Sequence, residues 1–229
     1  MPAHQCQCHA DCKQPAVKGH GLCKTHRNRC PVPHKLSGHE PVFKPGVYND
    51  SFVIQDTHNC YAYAFNHYDK PSTKDCNKQA CDVPFHQPGR RAGYPKWEKV
   101  KGKRCPDVVA RVLGDVPGVK LSNFTRRCPR GSSKVALVVD PENDYHWYRQ
   151  DKDGYWSHKP GGTKVTRKDA SGHRIYRPDR ADRDYTKGSG TLNYKQFCTY
   201  MCVPRNKTFR LKRGGGRRAS RISKRQTSS

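Results

Sequence analysis

Residues 146–159 decide the fold of this chain, and their sequence is His146-Trp-Tyr-Arg-Gln-Asp-Lys-Asp-Gly-Tyr-Trp-Ser-His-Lys159. Aromatic residues stand on both sides of a Lys-Asp-Gly loop, which is typical of two antiparallel strands joined by a tight turn. A three-residue loop ending in glycine matches a type I turn followed by a left-handed glycine. In that register Tyr148 faces His158, so His146 and His158 share a face as diagonal neighbours. A two-residue Asp-Gly turn would place the two histidines on opposite faces.

The segments around this hairpin predict an α+β domain. The apolar run 134–140 predicts a buried strand, and a proline at the second position of 105–113 predicts a helix that begins there. A further helix is predicted to begin near Cys60, where a polar turn gives way to Tyr61, Ala64, Phe65 and Tyr68 at helical spacing. We also predict a helix over residues 194–201.

The charge of the chain is strongly positive. Among 229 residues, 45 Lys and Arg face 19 Asp and Glu, which gives a formal net charge of +26. Such a balance favours anionic partners, and we expect nucleic acid or another polyanion. Residues 205–229 carry ten basic residues, no acid and a glycine run, which predicts a disordered-type tail. The ten candidate anion-binding residues are Arg205, Lys207, Arg210, Lys212, Arg213, Arg217, Arg218, Arg221, Lys224 and Arg225.

The first forty residues form a separate Cys/His-rich module. Close pairs of Cys and His separated by a loop are typical of a closed structural zinc site. A segment so poor in large apolar residues needs a bound metal ion or a disulfide to fold. Disulfides or an unstructured cysteine-rich arm are the alternatives. The predicted zinc ligands are Cys8, Cys12, Cys23 and His26, with Cys6, Cys30 and His34 as alternates.

The domain organisation follows from these segments. We expect a module over 1–40, a proline-rich linker over 41–46, an α+β domain over 47–204 and a basic tail over 205–229. No secretion signal or membrane-spanning segment is visible, so the twelve cysteines are assigned first to metal, then to reactive thiols, then to disulfides. Cys198 and Cys202, four apart on a predicted helix, are expected to have different partners.

Cys60 is a candidate nucleophile. A thiol in the first turn of a helix lies near the positive end of the macrodipole, which lowers its pKa and favours the thiolate. A thiolate still needs a base to accept its proton and a third group to orient that base.

The arrangement of Cys60, His146 and His158 resembles the papain-like and NlpC-type thiol hydrolases over roughly residues 50–200. The resemblance is carried by residues 56–64 and 146–161. It implies a helix packed on an antiparallel sheet, with Cys60 as nucleophile, His146 as general base and His158 as the orienting residue. Gln55 and Asn59 are the candidates for the oxyanion hole. The implied activity is that of a cysteine peptidase or amidase.

The run from His146 to Gly161, with 165–166 and 169–172, also resembles uncharacterised proteins of bacteria and large DNA viruses. This resemblance implies a structural protein of a large assembly, such as a minor capsid protein or another virion component, with capsid proteins as neighbours. The expected location is then the virion or the host cytoplasm. Enzyme and assembly protein are therefore the two competing predictions for this chain.

Overall fold

The computed structural model describes residues 5–97, 103–205 and 210–214. Four α-helices and five β-strands are formed within these ranges, together with 3₁₀ turns at Thr73–Asp75 and Tyr185–Lys187. The helices are α1 (Gly46–Asn49), α2 (Phe52–Thr57), α3 (Cys60–Ala64) and α4 (Cys105–Asp115). The strands are β1 (Lys120–Ser122), β2 (Ser132–Asp140), β3 (Asp144–Gln150), β4 (Trp156–His158) and β5 (Gln196–Pro204).

The strands form one antiparallel sheet in the order β1-β5-β2-β3-β4, which confirms the α+β class. Every residue of β2 is buried, because this central strand has neighbours on both edges and covered faces on both sides. Its Val-Ala-Leu-Val-Val run suits such a position, since strands buried on both faces read as continuous apolar segments. Within the described ranges, no helix has the length and apolar character needed to cross a bilayer.

The β3–β4 hairpin has the register that the glycine loop predicts. Tyr148 pairs with His158 and Gln150 with Trp156, and the turn is closed by a bond from Gly154 N–H to the Asp151 carbonyl (2.8 Å). Gly154 has φ +87°, the left-handed conformation that a side chain would strain. The three-residue loop is therefore confirmed.

Helices α3 and α4 cover the same face of the sheet. The Asn59 side chain caps α3 by accepting a bond from Ala62 N–H, and Val108 and Val112 of α4 are fully buried. They share a core with β2, β3 and β5, formed by Tyr61, Phe65, Val135, Leu137, Val139, Tyr145, Trp147, Met201 and Val203. Both helices begin where the sequence predicts, α3 after its Asn59 cap and α4 at its first-turn proline.

The other face of the sheet is covered by the N-terminal residues and by loops after β4. Ala136 and Val138 of β2, with Tyr148 of β3, point to this side. The second core that they form also contains Cys6, Cys8, Leu22, Cys23, Trp156, Ile175, Tyr176 and Tyr200. The N-terminal segment therefore packs directly on the sheet.

The helix predicted over 194–201 is wrong, because residues 196–201 belong to β5. Aromatic and β-branched residues such as Phe197, Thr199 and Tyr200 suit a strand, and β2 needs a hydrogen-bonding neighbour along its buried edge. The β2–β5 pairing contains a bulge in which Thr199 faces Leu137 and Phe197 faces Val138. The bulge leaves Cys198 as the extra residue, beside the core that contains α4.

Four disulfides tie the elements together: Cys8–Cys30, Cys76–Cys81, Cys105–Cys198 and Cys128–Cys202. Two of them link β5 to distant parts of the chain, and this confirms that Cys198 and Cys202 have different partners. All twelve cysteines lie in described ranges, so eight of them are in disulfides and four are free. Disulfides rather than metal ligands are thus the commonest use of cysteine in this fold, contrary to the order that we predicted.

Candidate metal centre

The N-terminal residues 5–35 form a loop-rich head without a regular helix or strand, except for an isolated bridge between Gln5 and Pro15. A turn brings His26 N–H onto the Cys23 carbonyl (3.1 Å) and places these two side chains together. Gly21 lies against the Arg174 carbonyl so closely that a Cβ would collide with it. The absence of a side chain at Gly21 therefore allows the head to pack against the loop that contains Arg174.

Gln7 fastens the head to the loops that follow β4. Its side-chain amide donates to Asp169 Oδ2 (3.1 Å) and its carbonyl oxygen accepts from Tyr176 N–H (2.7 Å). Arg177 adds a bond to the Cys8 carbonyl (3.1 Å). Because Gln7 is 2% exposed, these bonds are shielded from water and hold the head in one orientation.

Four side chains of the head converge on a single point: Cys6, Cys12, Cys23 and His26. Their ligand atoms all lie within 4.8 Å of one another. The Cys12 and Cys23 sulfurs are 3.8 Å apart, and His26 Nδ1 is 3.5 Å from Cys6 Sγ and 3.3 Å from Cys23 Sγ. A tetrahedral zinc ion with Zn–S near 2.3 Å and Zn–N near 2.0–2.1 Å separates two sulfurs by about 3.8 Å and a sulfur and nitrogen by about 3.5 Å. The cluster therefore has the dimensions of a closed Cys₃His site.

The electrostatics of the thiols fit the same reading. Burial raises the pKa of Cys6 to about 11, despite lowering bonds from the backbone of Cys23 and Cys8. Burial also opposes ionisation of Cys23, but bonds from the His26 backbone and from the Cys6 and Cys12 side chains bring its pKa below the ordinary value. A coordinated metal ion supplies the positive charge that ionises such thiols outright.

The predicted ligand set needs one correction. Cys12, Cys23 and His26 are brought together as predicted, but Cys8 is bonded to Cys30. The disulfide consumes both sulfurs, and Cys6, an alternate in the prediction, takes the fourth position. His34 lies elsewhere, with its ring 4.1 Å from that of Tyr176. Spacing alone does not separate Cys6 from Cys8, since they precede Cys12 by six and four residues.

The two histidines of the hairpin meet as the loop length predicts. His146 Nε2 lies 2.8 Å from His158 Nδ1, and His158 Nε2 lies 2.9 Å from the Lys168 carbonyl. A carbonyl only accepts, so His158 carries its proton on Nε2 and accepts from His146 on Nδ1. Burial lowers the pKa of His158 to about 4 and that of His146 well below its ordinary value. The pair is therefore neutral at physiological pH.

We expect this pair to make the fold sensitive to acid. In the unfolded chain each imidazole takes a proton near pH 6.5, whereas folded His158 does so only near pH 4. The unfolded state binds more protons in this window, so the free energy of unfolding falls as pH falls, by about 3 kcal/mol for His158. Urea unfolding at pH 7 and pH 4.5 should show a smaller loss in His158→Asn than in the wild type. An equal loss in both proteins would contradict this assignment.

Cys60 is not brought to this histidine pair. It packs with Tyr145 and Trp147, whose side chains leave β3 on the face opposite to His146. Its thiol contacts the Tyr145 carbonyl (3.9 Å). Burial and the nearby Asp144 carboxylate raise the pKa of Cys60 well above its ordinary value. The position at the start of α3 is as predicted, but burial outweighs the effect of a five-residue helix.

The two oxyanion candidates are engaged in structural bonds. Asn59 caps α3 and its side-chain amide donates to the His86 carbonyl (2.9 Å). Gln55 donates to the Gly162 carbonyl (3.4 Å). The arrangement around Cys60 therefore supplies a buried thiol without a base or a free donor beside it among the described residues.

Part of the predicted anion-binding tail is folded onto the body. Arg205 donates to the Ser133 hydroxyl (2.6 Å) and the Ala64 carbonyl (2.9 Å). Arg213 forms an ion pair with Asp69 (2.6 Å), whereas Arg210 and Lys212 are exposed. The other six candidates lie outside the described residues: Lys207, Arg217, Arg218, Arg221, Lys224 and Arg225.

Comparison with known proteins shows sequence similarity to a shell matrix protein. It is 37% identical over 142 residues to insoluble matrix shell protein 1 of Ruditapes philippinarum, and the alignment covers 62% of this chain and 80% of that relative. The chain belongs to the insoluble matrix shell protein 1 family. No family model matches the sequence, and no solved structure matches it.

Membership of the insoluble matrix shell protein 1 family corrects several predictions. The resemblances to papain-like and NlpC-type hydrolases and to proteins of large DNA viruses are wrong, since the relative is a shell matrix protein and no solved structure matches. The predicted role as a minor capsid or other virion component is wrong on the same finding. The predicted location in a virion or the host cytoplasm is wrong too, and four disulfides are typical of an oxidising compartment. A Cys at a helix start and an aromatic hairpin are motifs too short to define a family.

Proposed function

We propose that this chain is a structural protein of an insoluble extracellular matrix of the shell type. The observation that carries the proposal is the 37% identity to insoluble matrix shell protein 1 over 80% of that relative. Eight cysteines in disulfides support secretion, because such bonds persist in oxidising surroundings. The buried thiol of Cys60, bonded to a backbone carbonyl, supports a structural over a hydrolytic role.

In this proposal the head contains a structural zinc site. Three thiols and one imidazole form a ligand set typical of structural zinc, and all four positions are filled by protein, which leaves no open position for a substrate. Cys6, Cys12 and Cys23 are 0%, 7% and 1% exposed, so the ion would be enclosed. With the Cys8–Cys30 disulfide beside it, the zinc would hold a segment that has little apolar core of its own.

The partner in this proposal is a polyanionic component of the matrix. The net charge of +26 supports it, and electrostatic attraction of this kind acts without a shaped pocket. Arg205 and Arg213 are bonded within the fold. The exposed cations such as Arg210 and Lys212, not these two, would contact the partner.

Sequential extraction of the source tissue tests this function. With an antibody against residues 103–205, we expect signal in the insoluble organic fraction and none in the soluble cell extract. About 1 M sodium chloride should release the chain, since the Debye length is then roughly 3 Å and attraction between exposed charges is screened. Reductant should be unnecessary, because every cysteine is in an internal disulfide, in the head cluster or buried.

The outcomes separate the parts of the proposal. Signal confined to the soluble cell extract would overturn the matrix role. Signal that resists salt and appears only with reductant would overturn retention by charge and assign it to disulfides between chains. A basic protein of similar charge, added to the same fraction, controls for trapping by charge alone.

A further inference from the structure

We propose that His67, Asp69 and His86 form a second metal site, which takes a borderline divalent ion such as zinc, copper or nickel. Their ligand atoms lie within 4.8 Å of one another. Two imidazoles and one carboxylate suit these ions, whereas calcium and magnesium prefer oxygen ligands alone. This site goes beyond the structural function proposed above and does not depend on it.

His86 gives the strongest indication of a missing ligand. Its side chain is 0% exposed, and neither ring nitrogen makes an aligned hydrogen bond within the described part of the chain. A polar group buried in this way costs free energy unless something satisfies it. Nε2 is 3.4 Å from Asp69 Oδ2, close to the nitrogen–oxygen edge of about 3.3 Å in a tetrahedral site with bonds near 2.0–2.1 Å. An ion between the two atoms would satisfy both.

Neighbouring side chains hold the Asp69 carboxylate through Oδ1, the oxygen that does not face His86. Oδ1 contacts His58 Nε2 (2.9 Å) and the Arg213 guanidinium (2.6 Å). These contacts leave Oδ2 directed at His86. Hydrogen bonds to the second oxygen of a coordinating carboxylate are a regular feature of metal sites, since they orient the ligand.

The position of the His67 ring and the charge of Arg213 complete the description of this site. The His67 ring meets the His86 ring edge to face, with centroids 4.5 Å apart, so both imidazoles border the same space. Arg213 brings a positive charge to within 2.6 Å of the carboxylate, which weakens the attraction for a cation. The second site therefore binds metal less tightly than the head, and a chelator empties it first.

Metal stoichiometry of the full chain tests the proposal. After dialysis against excess zinc, we expect two ions per wild-type chain and one per chain in His86→Gln and in His67→Gln. The control His39→Gln changes an exposed histidine and should keep two. Cobalt distinguishes the sites, because thiolate-to-metal charge transfer comes from the head alone and should be unchanged in the two site variants.

A result of one ion in the wild type, carried on thiolates, would overturn the second site. Two ions in both His86→Gln and His67→Gln would do the same. Cys23→Ser separates this test from that of the head: it should lose the thiolate–cobalt band and keep one ion. Circular dichroism checks that each variant is folded, and His67→Gln provides a change at a half-buried position if His86→Gln does not fold.

Discussion

Cys23→Ser should abolish metal binding by the head and unfold residues 5–35, while the sheet stays folded. Cys23 Sγ lies beside both Cys12 Sγ (3.8 Å) and His26 Nδ1 (3.3 Å), so its loss removes the ligand that touches the others. Structural zinc contributes about 10–16 kcal/mol of apparent binding free energy in small zinc peptides. The head has no regular element to replace that contribution. Hydrogen exchange of residues 5–35 and metal analysis measure the effect.

Cys60→Ala is the matched control for this experiment, because it removes a thiol that is buried outside the cluster. It should keep the metal of the head. The zinc site would be contradicted by a wild-type chain that contains no metal and is unaffected by chelator. Its mass would be two hydrogens below that of a chain with four disulfides. That mass would indicate a fifth disulfide, between Cys12 and Cys23.

Removing both disulfides of β5 should unfold the protein at room temperature. Cys128–Cys202 closes 74 residues, and a loop of that length stabilises by about 4.5 kcal/mol. Cys105–Cys198 spans 93 residues, but the two loops overlap. With Cys128–Cys202 intact, the 23 residues from Cys105 to Cys128 and the four from Cys198 to Cys202 make an effective loop of about 27, worth about 3.5 kcal/mol.

The expected sequence of effects is therefore specific. Cys105→Ser with Cys198→Ser should cost about 3.5 kcal/mol, and loss of both bridges about 8 kcal/mol, against a typical total of 5–15 kcal/mol. Cys76→Ser with Cys81→Ser is the control, since it opens a loop of only 5 residues and should cost about 2 kcal/mol. Urea midpoints measure the two single-bridge changes, and circular dichroism without urea shows whether the chain that lacks both bridges of β5 is unfolded. Equal costs for the two single-bridge changes, or a fully folded chain without both bridges, would contradict the loop argument.

Several elements were predictable because the signals for them are local. The Lys-Asp-Gly turn gave the register of the hairpin, and with it the contact between His146 and His158. The start of α4 at Cys105 was predictable because proline is favoured in a first helical turn. Such signals involve residues that are neighbours in the chain, so no distant contact is needed to interpret them.

The prediction failed where distant contacts decide. Residues 194–201 contain helical spacing, yet 196–201 form a strand because β2 offers an edge that needs a hydrogen-bonding neighbour. Cys60 stands at a helix start, but its environment is set by β3, and burial there raises its pKa. The predicted α3 extended toward Tyr68, whereas the helix ends at Ala64 and Tyr68 is 43% exposed.

Taken alone, the sequence determined the α+β class, the hairpin register, the positive charge and a Cys/His-rich head with Cys12, Cys23 and His26 in one cluster. Only the tertiary structure decided that Cys8 pairs with Cys30 and that Cys6 completes the cluster. It alone also brought His67, Asp69 and His86 together with Arg213. The reason is physical: turn and cap preferences act between neighbouring residues, whereas disulfide pairing, metal ligation and burial depend on which distant segments pack in contact.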